Sequence, residues 1–147
     1  MNKIIVGMGE ALWDVLPQGK KIGGAPANFA YHVSQFGFDS RVVSAVGSDA
    51  NGKELLDIFA EKRLQGLIEQ VNYPTGTVQV TLDAEGVPCY EIHEDVAWDN
   101  IPYSDKLNRL ALSTRAVCFG SLAQRSAVSR ATRSEERRVG KECRSRW

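Results

Sequence analysis

The sequence predicts an α/β fold built on a parallel, doubly wound sheet, and three observations point there. The chain opens on a short apolar run, Ile4-Ile5-Val6, closed by Gly7 and Gly9, the pattern of a central parallel strand buried on both faces. A helical pattern from Ala27 to Phe36 and a strand from Arg41 to Val46 follow, which together make a β-α-β unit. A later apolar run, Ala116 to Gly120, repeats the buried-strand pattern and is again followed by polar residues.

The elements follow in order. Asp14 lies just beyond the carboxyl end of the first strand, the edge where open α/β sheets bind ligands. It is placed to accept hydrogen bonds from ligand hydroxyls; a surface-turn aspartate after Trp13 is the plain structural alternative. Gly23-Gly24-Ala25-Pro26-Ala27-Asn28-Phe29-Ala30 then leads into the first helix. Gly23 and Gly24 let the backbone turn sharply or lie against a ligand, and Pro26 suits the first turn. Asn28 sits near free backbone N–H groups. By itself the stretch fits two readings: a Gly-rich turn feeding a capped helix, or a loop that holds a polyhydroxylated ligand with backbone amides and one carboxamide. Phe29, Ala30, Val33 and Phe36 have the spacing of one apolar helix face, and Gly37 marks its end.

A second helix, Lys53 to Arg63, has Leu55, Leu56, Ile58 and Phe59 on its buried side, with Asp49 or Asn51 as its cap. Gly66 to Val71 is a short strand. Thr75 to Asp83 and Pro88 to His93 alternate about the turn Ala84-Glu85-Gly86-Val87, the pattern of an antiparallel hairpin. Trp98 reads as packing, with an aromatic plane against a ligand ring as the alternative. His93, beside Glu91, Glu94 and Asp95, reads as a solvated strand end rather than a metal site. Ser104 to Leu112 is a helix, and Ser126 to Ala131 starts the next. Gln124, past the carboxyl end of the last strand, is a candidate polar contact.

Bulk properties exclude several classes. Eighteen basic and eighteen acidic residues cancel, so nothing draws the chain to nucleic acid or an anionic membrane. No apolar run approaches the ~20 residues of a membrane span. The apolar start is too short for a signal peptide, so a cytoplasmic protein is expected. Cys89, Cys118 and Cys143 lack metal-ligand spacing and read as reduced, buried or half-buried thiols.

Gly23 to Ala30, then six residues, Gly37, nine residues and Gly47, resembles the N-terminal signature of the PfkB (ribokinase-like) carbohydrate kinases. Gly9-Glu10-Ala11-Leu12-Trp13-Asp14 and Cys118 to Arg125 look most like fructokinases. The resemblance implies a ribokinase-like doubly wound sheet, here its N-terminal part, with a small β-strand lid over the sugar, formed by residues of about 12–24 and 75–95. It implies sugar contact by Asp14, Gly23, Gly24 and Asn28, with Thr77, Gln79 and Tyr90 as lid positions and Gln124 near the sugar or phosphate. An edge hairpin of the main sheet remains the alternative for 75–93. Lid strands of this family often pair between subunits, which implies a homodimer. The activity implied is transfer of the ATP γ-phosphate to a sugar, most readily fructose, with Mg²⁺ balancing charge. A 2-keto-3-deoxygluconate kinase, a ribokinase-type kinase and a non-catalytic sugar-binding module are the alternatives.

Family members run to roughly twice this length. Their second signature ends in the catalytic aspartate, and no Gly-x-Gly-Asp occurs here. The resemblance therefore implies a fragment, inactive by itself, that holds the sugar side. Residues 133–147 carry six basic and three acidic charges with only Val139 and Trp147 large and apolar. That string reads as a solvated tail or a basic arm for nucleic acid. It also resembles the translation of a sequencing-library adapter, so the expected division is a kinase segment, 1–132, and a non-native tail, 133–147.

Overall fold

The structure, a computed structural model, describes residues 4–139, with side chains described through residue 134. Residues 140–147 of the expected tail, Cys143 and Trp147 among them, lie outside the described residues.

Among the described residues, eight strands form two four-stranded sheets. The main sheet is parallel, in the order β5 (Gly66–Val71), β4 (Ser40–Gly47), β1 (Ile4–Met8), β8 (Thr114–Phe119). The small sheet has the order β3 (Gly19–Gly23), β2 (Leu12–Leu16), β6 (Gly76–Leu82), β7 (Pro88–Ile92). Its central pair, β2 and β6, is parallel, and its outer pairs are antiparallel hairpins. The chain thus leaves the main sheet after β1 and again after β5, each time contributing one hairpin to the small sheet.

Strand alternation in β4 explains the layering. Val42 and Val46 face α1 (Ala25–Gln35) and α2 (Ala50–Glu61), packing with Ala27, Ala30, Leu55 and Phe59. Val43 and Ala45 face the other way, against Ala97, Ile101 and Leu107. These last come from a 3-10 turn, Ala97–Asn100, its flank, and α3 (Asp105–Ser113). Below the small sheet, Leu12, Val78, Val80, Trp98 and Ala123 form a third cluster. Helix α4 spans Ala127–Val139 and runs through residue 132. Its buried hydroxyls tie it to the 3-10 turn: Ser129 donates to the Trp98 carbonyl (2.8 Å) and Thr132 to that of Ile101 (2.7 Å).

Caps set the helix starts. Gly24, at φ +110°, precedes α1, so Asn28 lies one turn inside rather than at the start, its N–H bonded to the Gly24 carbonyl (3.0 Å). Asp49 caps α2, accepting from the Gly52 N–H at 2.7 Å.

Three expectations are corrected. Thr114–Phe119 is exposed over most of its length rather than buried, because it is an edge strand with no described strand pairing beyond it. Phe36 is 80% exposed and leaves the buried face of α1 to Pro26, Ala27 and Ala30. Cys89 and Cys118 are free thiols, as expected, but exposed ones, since both sit on outer strands.

Candidate functional site

β1 leads through α1 to β4 on one side, while β8 lies on its other side. The crevice between the carboxyl ends of β1 and β8 is therefore a topological switch point, where sheets of this kind bind ligands. Gly9 and Glu10 follow β1 there, and Gly120 to Arg125 follow β8, joined by the Gly120 N–H donating to the Met8 carbonyl (2.8 Å).

Glu10 is the charged group at the centre of this crevice and is 6% exposed. Its Oε2 has no hydrogen-bond partner among the described residues, and a Cβ on Gly120 would collide with it. Burial pushes its carboxyl above the ordinary value, against the pull of backbone hydrogen bonds at Glu10 and Ala123 and of the Arg125 charge. Sequence reading passed over Glu10 as a site residue in its own right. The available signal was a carboxylate placed directly after a fully apolar parallel strand.

Asp14 stands on β2, immediately above. Its carboxylate takes no hydrogen bond from the described residues, and a Cβ at Gly23 would strike it. Partial burial raises its pKa. A half-buried carboxylate with open lone pairs beside a bare backbone can accept hydrogen bonds from a ligand's hydroxyls. Gly24 packs on the Glu10 carbonyl so closely that only glycine fits.

The remaining predicted residues divide by face. Asp14 pairs with Val78 and Val78 with Ile92, while Val80 pairs with Tyr90, so Asp14 and Tyr90 share one face of the small sheet. Thr77 and Gln79 lie on the opposite face. There the Thr77 hydroxyl meets His93 Nδ1 (2.8 Å), and Gln79 donates to the Val15 carbonyl (3.3 Å). Gln124 sits in a 3-10 turn, Leu122–Arg125, with its Oε1 buried and without a partner among the described residues. Asn28 lines a separate cavity between the two helices and the β2–β3 hairpin, and Asp14 does not line it. The structure therefore groups Asp14, Gly23, Gly24 and the Glu10 crevice, with Gln124 beside it. Thr77, Gln79 and Asn28 stand apart from that group.

Arg125 fixes the crevice wall. It makes two hydrogen bonds to the Asp99 carboxylate, both 2.8 Å, and one to the His93 carbonyl, 2.7 Å, and it stacks on Trp98 at 4.3 Å. Trp98 is thus buried packing. Among the described residues, no group of three His, Cys, Asp or Glu side chains is placed to hold a metal.

The pattern of the pfkB family carbohydrate kinases matches residues 12–105. This chain belongs to that family. Among curated relatives of this PfkB chain, an ATP-dependent 6-phosphofructokinase of Thermoanaerobacterium thermosaccharolyticum is 36% identical over 114 residues, 77% of this chain and 35% of that protein. A fructokinase of Klebsiella pneumoniae is 36% identical over 98 residues, 58% of this chain and 30% of its own length. Among solved structures, a sugar kinase of Pyrococcus horikoshii in complex with ATP superposes with a TM-score of 0.76 at 29% identity, covering 90% of this chain and 47% of that one. The fructokinase of Xylella fastidiosa gives 0.81 at 25% identity, covering 96% and 48%. The chain spans about a third of the curated relatives it matches and about half of the solved ones.

Proposed function

We propose that the full-length protein containing this PfkB segment is a cytoplasmic, ATP-dependent kinase that phosphorylates fructose, and that this chain supplies the sugar-binding side. The observation that carries the reading is the open Asp14 carboxylate against Gly23, above a switch-point crevice. Asp14 accepts hydrogen bonds from the sugar hydroxyls, and the bare backbone at Gly23 and Gly24 lets the ring approach. The small sheet serves as the lid, and Tyr90 on Asp14's face is the lid side chain best placed to meet the sugar. Its outer strands, β3 and β7, are the edges through which a homodimer would pair. MgATP supplies the phosphoryl group. No residue of this chain is assigned to ATP, to Mg²⁺ or to the proton-accepting base.

A second substrate, fructose 6-phosphate, is favoured by one feature. Lys21 is the cross-strand partner of Asp14, so its register puts it on the same face of the sheet. The 6-phosphofructokinase among the relatives points the same way.

The full-length protein with MgATP should turn over fructose or fructose 6-phosphate. Absence of turnover on both, and on ribose and 2-keto-3-deoxygluconate, would refute the kinase reading. Calorimetric titration with fructose tests the residues, since Asp14→Ala should abolish the heat and an unchanged isotherm removes Asp14 from the site.

A further inference from the structure

Asn51 is followed by Gly52, and an Asn-Gly pair occurs nowhere else in this sequence. Such a pair has a chemistry of its own. The glycine nitrogen, with no side chain beside it, can attack the asparagine Cγ. A C–N bond forms, the attacking nitrogen gives its proton to water, and the carboxamide nitrogen leaves as ammonia. The cyclic imide then takes up water and opens in one of two ways. It gives aspartate, or it gives isoaspartate, in which the main chain runs through the side-chain carbons. Asparagine is thermolabile for this reason.

Packing fixes both partners. A Cβ on Gly52 would collide with the Gly47 carbonyl and the Thr75 hydroxyl, so only glycine fits. Asn51 ties two strands of the small sheet to α2. Its carbonyl accepts from the Trp13 indole of β2 (3.0 Å), and its Oδ1 accepts from the Lys20 ammonium of β3 (2.8 Å).

The same turn guards the pair. The Gly52 N–H donates to Asp49 Oδ1 at 2.7 Å, and the Lys53 N–H donates to the Asp49 carbonyl at 3.0 Å. Attack requires the Gly52 nitrogen to lose that proton and Asn51 to leave its helical torsions, so the cap has to open first. Asp49 is exposed and Asn51 half-buried, which puts water at hand once it does. Opening at a helix end is local and needs no global unfolding.

We propose that Asn51 is a deamidation site guarded by the Asp49 cap, and that its conversion to isoaspartate frees β2 and β3 from α2. In isoaspartate the carbonyl that accepts from Trp13 becomes part of a free carboxylate, on a main chain lengthened within the first turn. The inference does not rest on the kinase reading.

The test is incubation of the 147-residue chain at neutral pH with peptide mapping of isoaspartate. The native chain should form it at residue 51 at least roughly tenfold more slowly than the chain unfolded in urea. Asp49→Ala should speed the native reaction by roughly five- to thirtyfold, the gain in open population when a cap is lost. Lys20→Met, at an exposed position, frees only the carboxamide and should speed it by about twofold. Should circular dichroism show Asp49→Ala unfolded, Lys20→Met and the urea comparison decide. In the converted chain, amide exchange at Trp13 and Asp14 should be faster than in the parent. Equal rates in native and unfolded parent, equal rates in parent and folded Asp49→Ala, or isoaspartate at other asparagines but not at Asn51 would overturn the guarded site. Unchanged exchange in the converted chain would overturn the release of β2. None of these outcomes bears on turnover by the full-length protein, so the two readings fail separately.

Discussion

β4 and β8 flank the same strand in the same parallel sense, and each carries a run of apolar residues, yet one is sealed and the other open. In β4, six consecutive residues from Val42 to Gly47 are buried, whereas in β8 all but Thr114 are exposed. The difference is not in the strands. β4 has β5 beyond it, α1 and α2 on one face and Ala97, Ile101 and α3 on the other. β8 has β1 on one side and no strand among the described residues on the other. Burial of a parallel strand is a property of its neighbours. In a chain spanning about half of its solved relatives, the outermost strand shows this most clearly.

The contrast can be broken by introducing the same charge on both sides. Val46, 0% exposed in β4, should not tolerate Val46→Asp: an unpaired carboxylate in the core should cost about 4 kcal/mol or more, read as loss of the cooperative urea transition. A smaller effect is expected at the cap where β4 hands over to α2. Asp49→Ala should lower stability by about 1–2 kcal/mol, read from the shift in urea midpoint. The same position sets an acid limit. Burial tends to raise the Asp49 carboxyl, but hydrogen bonds from Thr75 and Gly52 outweigh it and hold the pKa below its ordinary value. Its contribution is therefore present above the ordinary aspartate pKa and lost as pH falls through the folded value. The Asp49→Ala deficit should shrink on acidification.

On the β8 side the sign reverses. Glu10 is held above its ordinary value, so its contribution is complete below the ordinary glutamate pKa and is lost as pH rises through the folded one. Glu10→Gln keeps the shape and removes the charge. That variant should gain on the parent as pH rises, by about 1 kcal/mol or less, in melting curves taken at several pH values. Least of all is expected at Val117, 38% exposed, where Val117→Asp should cost under about 0.5 kcal/mol. A collapse in urea stability there equal to that of Val46→Asp would show that β8 is buried after all.

Local rules made much of the fold readable. Ile4-Ile5-Val6 before glycine, the β-α-β spacing, the Asp49 cap and the alternating 75–93 hairpin each depend on residues close in sequence. The place of Asp14 near the carboxyl edge of the first strand was legible too, because position after a strand is a local fact. What escaped needed non-local partners. Thr77 and Gln79 alternate as lid residues should, but pairing of β6 with β2 decides their face, and it sets them opposite Asp14. Phe36 fits the helical period, but nothing described packs on that side of α1. Glu10 became visible as a site residue only once Gly120 and Ala123 closed over it.

The first turn of α2 gathers both roots of the small sheet. Asp49 holds Thr75, at the foot of β6, through its N–H (2.8 Å) and its hydroxyl (2.6 Å). Two residues on, the Asn51 carbonyl accepts from the Trp13 indole of β2 (3.0 Å), and its side chain accepts from Lys20 of β3 (2.8 Å). The sheet is thus clamped like a leaf spring at its base, free only toward the 83–87 tip. Amide exchange should therefore be slow at Thr75 and fast at Leu82 and Cys89. Any displacement of α2 would be transmitted directly to the strand that carries Asp14.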